Sequence, residues 1–211
     1  MTKVISLLNQ KGGVGKTTIS TNLGVSLQQN NLRVLLVDSD PQGSLRDWNE
    51  ANEGKLINVV GLDRETLAKD IEGVKNGYDI VIIDGAPQSS KLVAAAIKAS
   101  DLVIIPVTPS PYDVWACSDL VEIIKARQEA VEGKPLCRFL ISRTRKGTTL
   151  STDILQALSG YEIPVLMNRT THREIYAQTA SNGFTVHSDL KAVDAINEIT
   201  NLRNEILEVL Q

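Results

Sequence analysis

A glycine-rich stretch near the start of the chain, NQKGGVGKTT at residues 9–18, has the residue types of a polyphosphate site. Glycines let backbone N–H groups point at phosphate oxygens without interference from Cβ atoms. The stretch follows the apolar run Val4–Leu8 and precedes the helical pattern Lys16–Gln29, whose N-terminus adds positive potential. Lys16 would neutralise the β- and γ-phosphates, and the Thr17 hydroxyl would bind Mg²⁺. The predicted nucleotide contacts in this loop are Lys11, Gly12, Gly13, Val14, Gly15, Lys16, Thr17 and Thr18.

The loop departs from the common pattern G-x-x-x-x-G-K-[ST], because Gln10 replaces the first glycine and a second lysine, Lys11, follows it. Lys11 precedes the glycines and is therefore expected on the outer lip of the loop. From there it could reach the nucleotide of a neighbouring subunit and act in trans, as an arginine finger does. Gly12 would then lie where two loops approach each other. Alternatively, Lys11 only adds positive charge to the electrostatic field of its own loop. The residues alone leave both possibilities open.

Carboxylates follow two further apolar runs. The run Arg33–Asp38 is followed by Asp40, and the run Tyr78–Asp84 ends in a carboxylate. Alternate strand residues share a face, so Asp38 and Asp40 can both point toward the loop. One could order Mg²⁺ through water while the other orients an attacking water, or the pair could simply cap the following turn. Asp84, at the end of a buried strand, needs a partner for its charge, and hydrated Mg²⁺ would serve.

Apolar runs alternate with helical patterns along the chain. Nearly continuous aliphatic runs are typical of strands covered on both faces. The alternation predicts an α/β fold, a doubly wound and mostly parallel sheet with helices on both faces and ligands beyond the carboxyl ends of the strands. The predicted strands are Val4–Leu8, Arg33–Asp38, Tyr78–Asp84, Asp101–Val107, Cys137–Ser142 and Ile163–Met167. The predicted helices are Lys16–Gln29, Arg64–Lys75, Ser90–Ala99, Val114–Val131 and Leu150–Leu158.

The composition favours one globular domain over residues 1–211. The chain has 211 residues, of which 42% are hydrophobic, so a sizeable core can be buried. The net charge of −3 excludes a general positive coat but not a local basic patch. Two cysteines form neither a disulfide framework nor a metal motif. The first residues lack the apolar core of a signal peptide, and no apolar run is long enough to cross a membrane, so we expect a cytoplasmic protein.

Three motifs, KGGVGKTT, VDSDPQG and YDIVIIDGAP, together resemble the deviant Walker-A ATPases of the ParA/MinD group. A fourth, VIIPVTPSPYD, resembles the proline-rich stretch of small plasmid-partition ParA proteins of the ParF-like type, which lack an N-terminal DNA-binding extension. The resemblance extends over nearly the whole chain. It implies a P-loop NTPase fold, ATP and Mg²⁺ as cofactors, and slow ATP hydrolysis stimulated by a partner.

The resemblance also implies roles for single residues. Lys11 would contact nucleotide across an ATP-sandwich dimer, Asp40 would belong to the hydrolysis-linked switch, and Asp38 would support the metal. Residues 85–87, after Asp84, would form a second switch that senses the γ-phosphate. The implied catalytic residues are Lys11, Lys16 and Asp40, and the implied metal-site residues are Thr17, Asp38 and Asp84.

Two later segments complete the predicted nucleotide site. The prolines of PVTPSPYD remove backbone donors, so this segment should leave the sheet and run extended. By resemblance it also lines the nucleotide, through Pro109, and the dimer face. In ISRTRKG, Arg143 and Thr144 occupy the positions at which the family contacts adenine.

A basic segment is the candidate DNA contact. Residues 138–173 contain six basic and two acidic residues. Phosphate contacts by such residues give salt-dependent binding that ignores base sequence. Arg169 and Arg173 would share one face if a helix began at Thr170 or Thr171. Charge alone favours a solvated helix start, whereas the resemblance implies contact with non-specific nucleoid DNA. Arg145 and Lys146 are further candidates.

The C-terminal helical pattern from Asp189 onward has an apolar stripe. Arg203 stands there with Glu198, Glu205 and Glu208, and anionic lipid would repel such a tail. We therefore expect the stripe to pack on the domain core and the protein not to bind membranes. The stripe consists of Leu190, Val193, Ile196, Ile199, Leu202, Ile206 and Val209.

Taken together, the residues and the resemblance predict a ParA-type ATPase. ATP would drive formation of a homodimer on nucleoid DNA, and a small ParB-like or adaptor partner would stimulate hydrolysis to move a plasmid or other cargo. The alternatives are a MinD-like membrane-cycling ATPase and a metabolic ATP-dependent synthetase of the same superfamily. An iron–sulfur reductase component would need bridging cysteines, and a tyrosine kinase module would need a tyrosine-rich tail.

Overall fold

The computed structural model describes residues 1–87, 90–145 and 152–211, and within them the chain forms a six-stranded sheet with the order β3-β2-β4-β1-β5-β6. Every neighbouring pair is parallel. The strands are β1 (Lys3–Leu7), β2 (Val34–Asp38), β3 (Asn58–Gly61), β4 (Ile80–Asp84), β5 (Leu102–Val107) and β6 (Leu136–Ile141). Strands β2, β4 and β5 are buried along their whole length, as their continuous aliphatic sequences predict.

Helices lie on both faces of the sheet, and two large apolar clusters fill the space between the layers. The helices in the described segments are α1 (Lys16–Gln29), α2 (Ser44–Ala51), α3 (Leu67–Val74), α4 (Ser90–Ala99), α5 (Pro111–Trp115), α6 (Ser118–Ala130), α7 (Thr152–Ser159), α8 (Glu174–Ala180) and α9 (Val193–Val209). The predicted doubly wound, parallel α/β fold is confirmed.

Several elements differ from prediction. The segment Ile163–Met167 is not a regular strand: it makes one isolated bridge to β6, through Val165 and Phe139. Pro164 within it cannot donate a ladder hydrogen bond. The edge strand β3 was not predicted, because only four residues form it and none of them is fully buried. Helix α2 was not predicted either, because only Leu45 and Trp48 mark its buried face.

The helical pattern predicted over Val114–Val131 is two helices. Helix α5 begins earlier, with Pro111 in its first turn, where the missing N–H costs nothing. The chain then turns at residues 116–117 before α6. The turn fixes the direction of α5 independently of α6, and α5 carries residues of the candidate site.

The C-terminal helix packs on the core as predicted, but its stripe is shorter. Ile199, Leu202 and Ile206 are buried, and α9 packs against α1. Leu190 and Val193, by contrast, are 86% and 56% exposed, because α9 begins only at Val193. None of the helices in the described ranges is both long and apolar enough to cross a bilayer.

Candidate nucleotide site

The loop between β1 and α1 curls around a buried lysine. Gly13 and Gly15 adopt φ of 77° and 93°, a left-handed conformation that is strained for residues with a side chain. The Lys16 ammonium donates to the carbonyls of Asn9 (3.0 Å) and Lys11 (3.1 Å). Burial lowers the pKa of Lys16, while the negative charges of Asp84 and Asp40 oppose that effect. The loop therefore holds a single ammonium beneath its backbone, as phosphate binding requires.

Side chains that were not predicted hold this loop in shape. Asn9 is buried. Its side-chain amide nitrogen donates to the Pro106 carbonyl (2.8 Å), and its side-chain oxygen accepts from the Lys11 backbone N–H (2.8 Å). Ser142, just beyond β6, donates its hydroxyl to the Val14 carbonyl (2.7 Å). The only sequence signal for Asn9 was its position directly between a strand and the glycines.

Two buried carboxylates meet beneath the loop. Asp38 and Asp84 end β2 and β4 and are directly paired in the sheet register. Asp84 accepts hydrogen bonds from the hydroxyls of Thr17 (2.6 Å) and Ser20 (3.1 Å). Burial, with a smaller contribution from the Asp38 charge, raises the pKa of Asp84 to about 7, although the two hydroxyls favour the ionised form.

This set of donors fits Mg²⁺. The cation prefers hydroxyl, carboxylate and water oxygens and is usually bound through one or two carboxylates plus phosphates. Two buried carboxylates side by side also need positive charge to offset their repulsion. Thr17 and Asp84 would hold the ion, with Asp38 beside them.

Asp38 and Asp40 organise the turn after β2. Asp38 accepts from the N–H groups of Asp40 (3.0 Å) and Arg46 (2.9 Å), and the Arg46 guanidinium lies 3.4 Å from its carboxylate. Asp40 accepts from the Gln42 N–H (3.0 Å). Turn capping, the alternative considered from the sequence, is therefore present. The negative charge of Asp40 also acts on the Lys16 ammonium and opposes the effect of burial on its pKa.

The segment after β4 follows the loop closely. A Cβ at Gly85 would lie 2.7 Å from the Leu7 carbonyl oxygen, so only glycine fits this crossing between β4 and β1. The Gly85 N–H donates to the same carbonyl (3.1 Å). Residues 85–87, predicted to sense the γ-phosphate, therefore begin against the end of β1, whereas Gln88 lies outside the described residues.

Lys11 lies on the lip of the loop with its side chain 44% exposed. Its ammonium forms an ion pair with Asp113 of α5, whose side chain is only 7% exposed and also accepts a hydrogen bond from the Thr108 hydroxyl. Within the described residues, a Cβ at Gly12 would meet nothing closer than 4 Å. Pro109 is exposed in the short link between β5 and α5.

A cavity of about 550 Å³ opens beside the end of the loop, and Arg143, one of the predicted adenine contacts, lines it. Gly15, Thr18 and Ile19 form its loop side, and Arg143 with residues 170–174 and 176–178 forms most of the rest. Arg143 also donates to the Gly13 carbonyl. The cavity is lined by Gly15, Thr18, Ile19, Arg143, Thr170, Thr171, His172, Arg173, Glu174, Tyr176, Ala177, Gln178, Ala180 and Ile199.

Thr144, predicted as an adenine contact, lies behind the wall of this cavity. It is buried, and both its hydroxyl (3.2 Å) and its N–H (2.9 Å) donate to the Thr170 carbonyl. The side chain therefore supports the segment that lines the cavity. Residues 170–178 were not assigned to the nucleotide from the sequence, because their pattern shows no phosphate or metal signature.

The predicted basic face is not helical. Helix α8 begins at Glu174, so the assumption that Arg169 and Arg173 share a helix face is wrong. The Arg173 guanidinium is paired with Glu198 (2.6 Å) and Asp194 (3.2 Å), and these carboxylates raise its pKa. Arg145 and Arg169 are exposed, and Lys146 lies outside the described residues.

A parallel doubly wound sheet whose first strand leads into a lysine-bearing phosphate loop defines a P-loop nucleotide-binding protein. The profile of the CobQ/CobB/MinD/ParA nucleotide binding domain matches residues 5–177, and the chain belongs to this ParA/MinD family of ATPases.

Individual relatives agree. The chain is 32% identical over 201 residues to the sporulation initiation inhibitor protein Soj of Bacillus subtilis, covering 73% of this chain and 79% of Soj. It is 28% identical over 208 residues to the maintenance of carboxysome distribution protein A of Halothiobacillus neapolitanus, covering 96% and 95%. A putative plasmid partition protein of Borrelia burgdorferi bound to AMPPNP shares the fold, with a TM-score of 0.77, 21% identity and 99% coverage of both chains.

Proposed function

We propose that this chain is a ParA-type partition ATPase. It binds ATP with Mg²⁺, closes into a sandwich dimer, binds DNA without sequence preference, and is released when a partner stimulates hydrolysis. The observation that carries this proposal is the loop with two differently placed lysines. Lys16 is buried under the loop backbone, and Lys11 is on the exposed lip.

Within one subunit, each residue of the site has a separate role. The loop amides and Lys16 bind the β- and γ-phosphates. Mg²⁺, when bound, would supply positive charge that offsets the charge developing on the phosphates. Thr17 and Asp84 would hold the ion and Asp38 would support them, while Asp40 would orient the attacking water.

The second lysine implies a second subunit. Lys16 already occupies the position under the loop, so Lys11 is not needed there. Gly12 supports the same view, because neither its φ nor its surroundings in the described chain require glycine. A glycine is explained if another loop approaches this point. Lys11 would then add positive charge to the partner's phosphates in trans.

The DNA contact is proposed for the segment after β6. Arg145 and Arg169 are exposed there, and Lys146 is adjacent in sequence. Arg173 is expected to contribute less to DNA binding, because phosphates would have to compete with the two carboxylates that pair with it. A dimer doubles this modest patch, which matters for a chain with a net charge of −3.

The cargo is a plasmid or another large body in a cytoplasmic, nucleoid-associated cycle. Names of the relatives support this class, since one is named for plasmid partition and another for carboxysome distribution. The stimulating partner is a small ParB-like or adaptor protein.

Co-sedimentation with a long non-specific duplex, with and without ATP, tests the proposal. Binding should require ATP and weaken steeply with added salt. Arg169→Ala should weaken binding, whereas Lys69→Ala, at an exposed lysine of α3, should not. Absence of DNA binding by the wild-type protein with ATP would contradict the partition proposal. ATP-dependent binding to anionic vesicles instead would favour a MinD-like cycle.

A further inference from the structure

Glu198, on α9, accepts more hydrogen bonds than a solvated helix carboxylate would. Its oxygens accept from the N–H (3.1 Å) and hydroxyl (2.6 Å) of Thr171, from the Arg173 guanidinium (2.6 and 2.9 Å), and from the Tyr176 hydroxyl (3.2 Å). The side chain is only 15% exposed. From the sequence, Glu198 was counted only as part of an acidic tail.

All three of these partners line the cavity beside the phosphate loop, whereas Glu198 itself does not. Residues 168–173 form no helix or regular strand. Backbone hydrogen bonds tie Thr170 and His172 to the end of β6 and to Thr144. The polar atoms that these bonds leave over need other partners if the loop is to keep one shape. Glu198 supplies this support from a helix that is packed on the core through Ile199 and Leu202.

We propose that Glu198 is a positioning residue that sets the base-binding wall of the nucleotide site. This inference rests on the proposed ATP site. The carboxylate fixes Thr171, Arg173 and Tyr176 in one arrangement before nucleotide arrives, so that binding does not have to order them. Hydrogen bonds to an ionised acceptor are stronger than neutral ones, which suits a single residue that fixes several partners.

The chain contains a matched control. Glu205, two turns further along α9, accepts from the N–H groups of Met167 (2.7 Å) and Asn168 (2.9 Å) and from the Asn168 amide (2.8 Å). It therefore holds the neighbouring part of the same segment. Neither Met167 nor Asn168 lines the cavity.

The test compares ATP with inorganic tripolyphosphate, which has phosphates but no base, as competitors of a fluorescent ATP analogue with Mg²⁺ constant. Glu198→Gln should weaken ATP binding about tenfold, as expected for weakened hydrogen bonds to a charged group, and leave tripolyphosphate binding unchanged. Tyr176→Phe, which removes one bond but keeps the ring, should show a smaller loss of the same kind. Glu205→Gln should change neither affinity.

Two results would overturn the inference alone. One is an equal loss of ATP and tripolyphosphate affinity in Glu198→Gln, which would mean a general loss of structure. The other is unchanged ATP affinity in both Glu198→Gln and Tyr176→Phe. Failure of the wild-type chain to bind ATP at all would instead contradict the proposed function, so the two failures are distinguishable.

Discussion

The Lys11 ammonium forms an ion pair with the Asp113 carboxylate of its own chain, 102 residues away in sequence. Asp113 is nearly buried, whereas Lys11 is half exposed. A lysine proposed to reach a partner's nucleotide is therefore held, in the single chain, by an internal counter-ion. Formation of the proposed dimer must exchange that contact for the partner's phosphates.

The first prediction concerns this exchange. Asp113→Asn removes the counter-ion and keeps the side-chain shape. Because Lys11 no longer has to leave a carboxylate, the ATP-dependent dimer should form more readily, by about 1 kcal/mol or roughly fivefold in dissociation constant. Sedimentation with a non-hydrolysable ATP analogue measures this change. Asp119→Asn, at an exposed carboxylate of α6, is the control. Weaker dimerisation of Asp113→Asn would show that the pair supports the dimer.

The second prediction separates action in trans from action in cis. Lys11→Ala should still bind ATP, and Asp40→Ala should bind ATP and dimerise, but each should hydrolyse at least about tenfold more slowly. In a mixed dimer, one composite site receives Asp40 from the Lys11→Ala protomer and Lys11 from the Asp40→Ala protomer. Phosphate release should therefore reappear in proportion to heterodimer. If mixing restores nothing, Lys11 acts on its own subunit's nucleotide.

The third prediction uses the two neighbouring glycines. Gly12→Val should leave the monomer folded and able to bind ATP, because a side chain there meets no described atom within 4 Å, but it should prevent dimerisation. Gly13→Val should fail earlier, at ATP binding, because Gly13 has a φ of 77°. Nucleotide titration and sizing chromatography separate the two defects. Normal ATP-dependent dimers of Gly12→Val would remove the proposed loop contact.

The fourth prediction concerns the buried lysine. Lys16→Ala should reduce ATP affinity by at least about a hundredfold, because the phosphates lose a charged donor that the loop already holds in place. Equilibrium titration with a fluorescent ATP analogue measures the loss. Lys98→Ala, at an exposed lysine in the last turn of α4, should bind normally. Unchanged affinity of Lys16→Ala would exclude Lys16 from the site.

Several features could be predicted from the sequence because they depend on neighbours along the chain. Helices α1 and α4 begin and end at the predicted residues. The buried strands were evident because both faces are covered, so nearly all of their residues are apolar. The phosphate loop, with Lys16 and Thr17, was evident because glycines, lysine and helix start must follow one another at fixed spacing.

Only the tertiary structure determined what joins distant segments. Lys11 and Asp113 meet because β1 and β5 are neighbours in the sheet. No local sequence pattern predicts that these two strands pair. The sequence indicated a solvated charge at Glu198, because helical periodicity predicts only the buried stripe of α9. It does not predict which loop packs beside the helix. The Arg169–Arg173 interpretation failed for the same reason: a helix start depends on which backbone groups find partners, and here those partners lie on β6, at Thr144 and on α9. Local sequence determines the elements and the motif, whereas long-range packing decides which charges remain available.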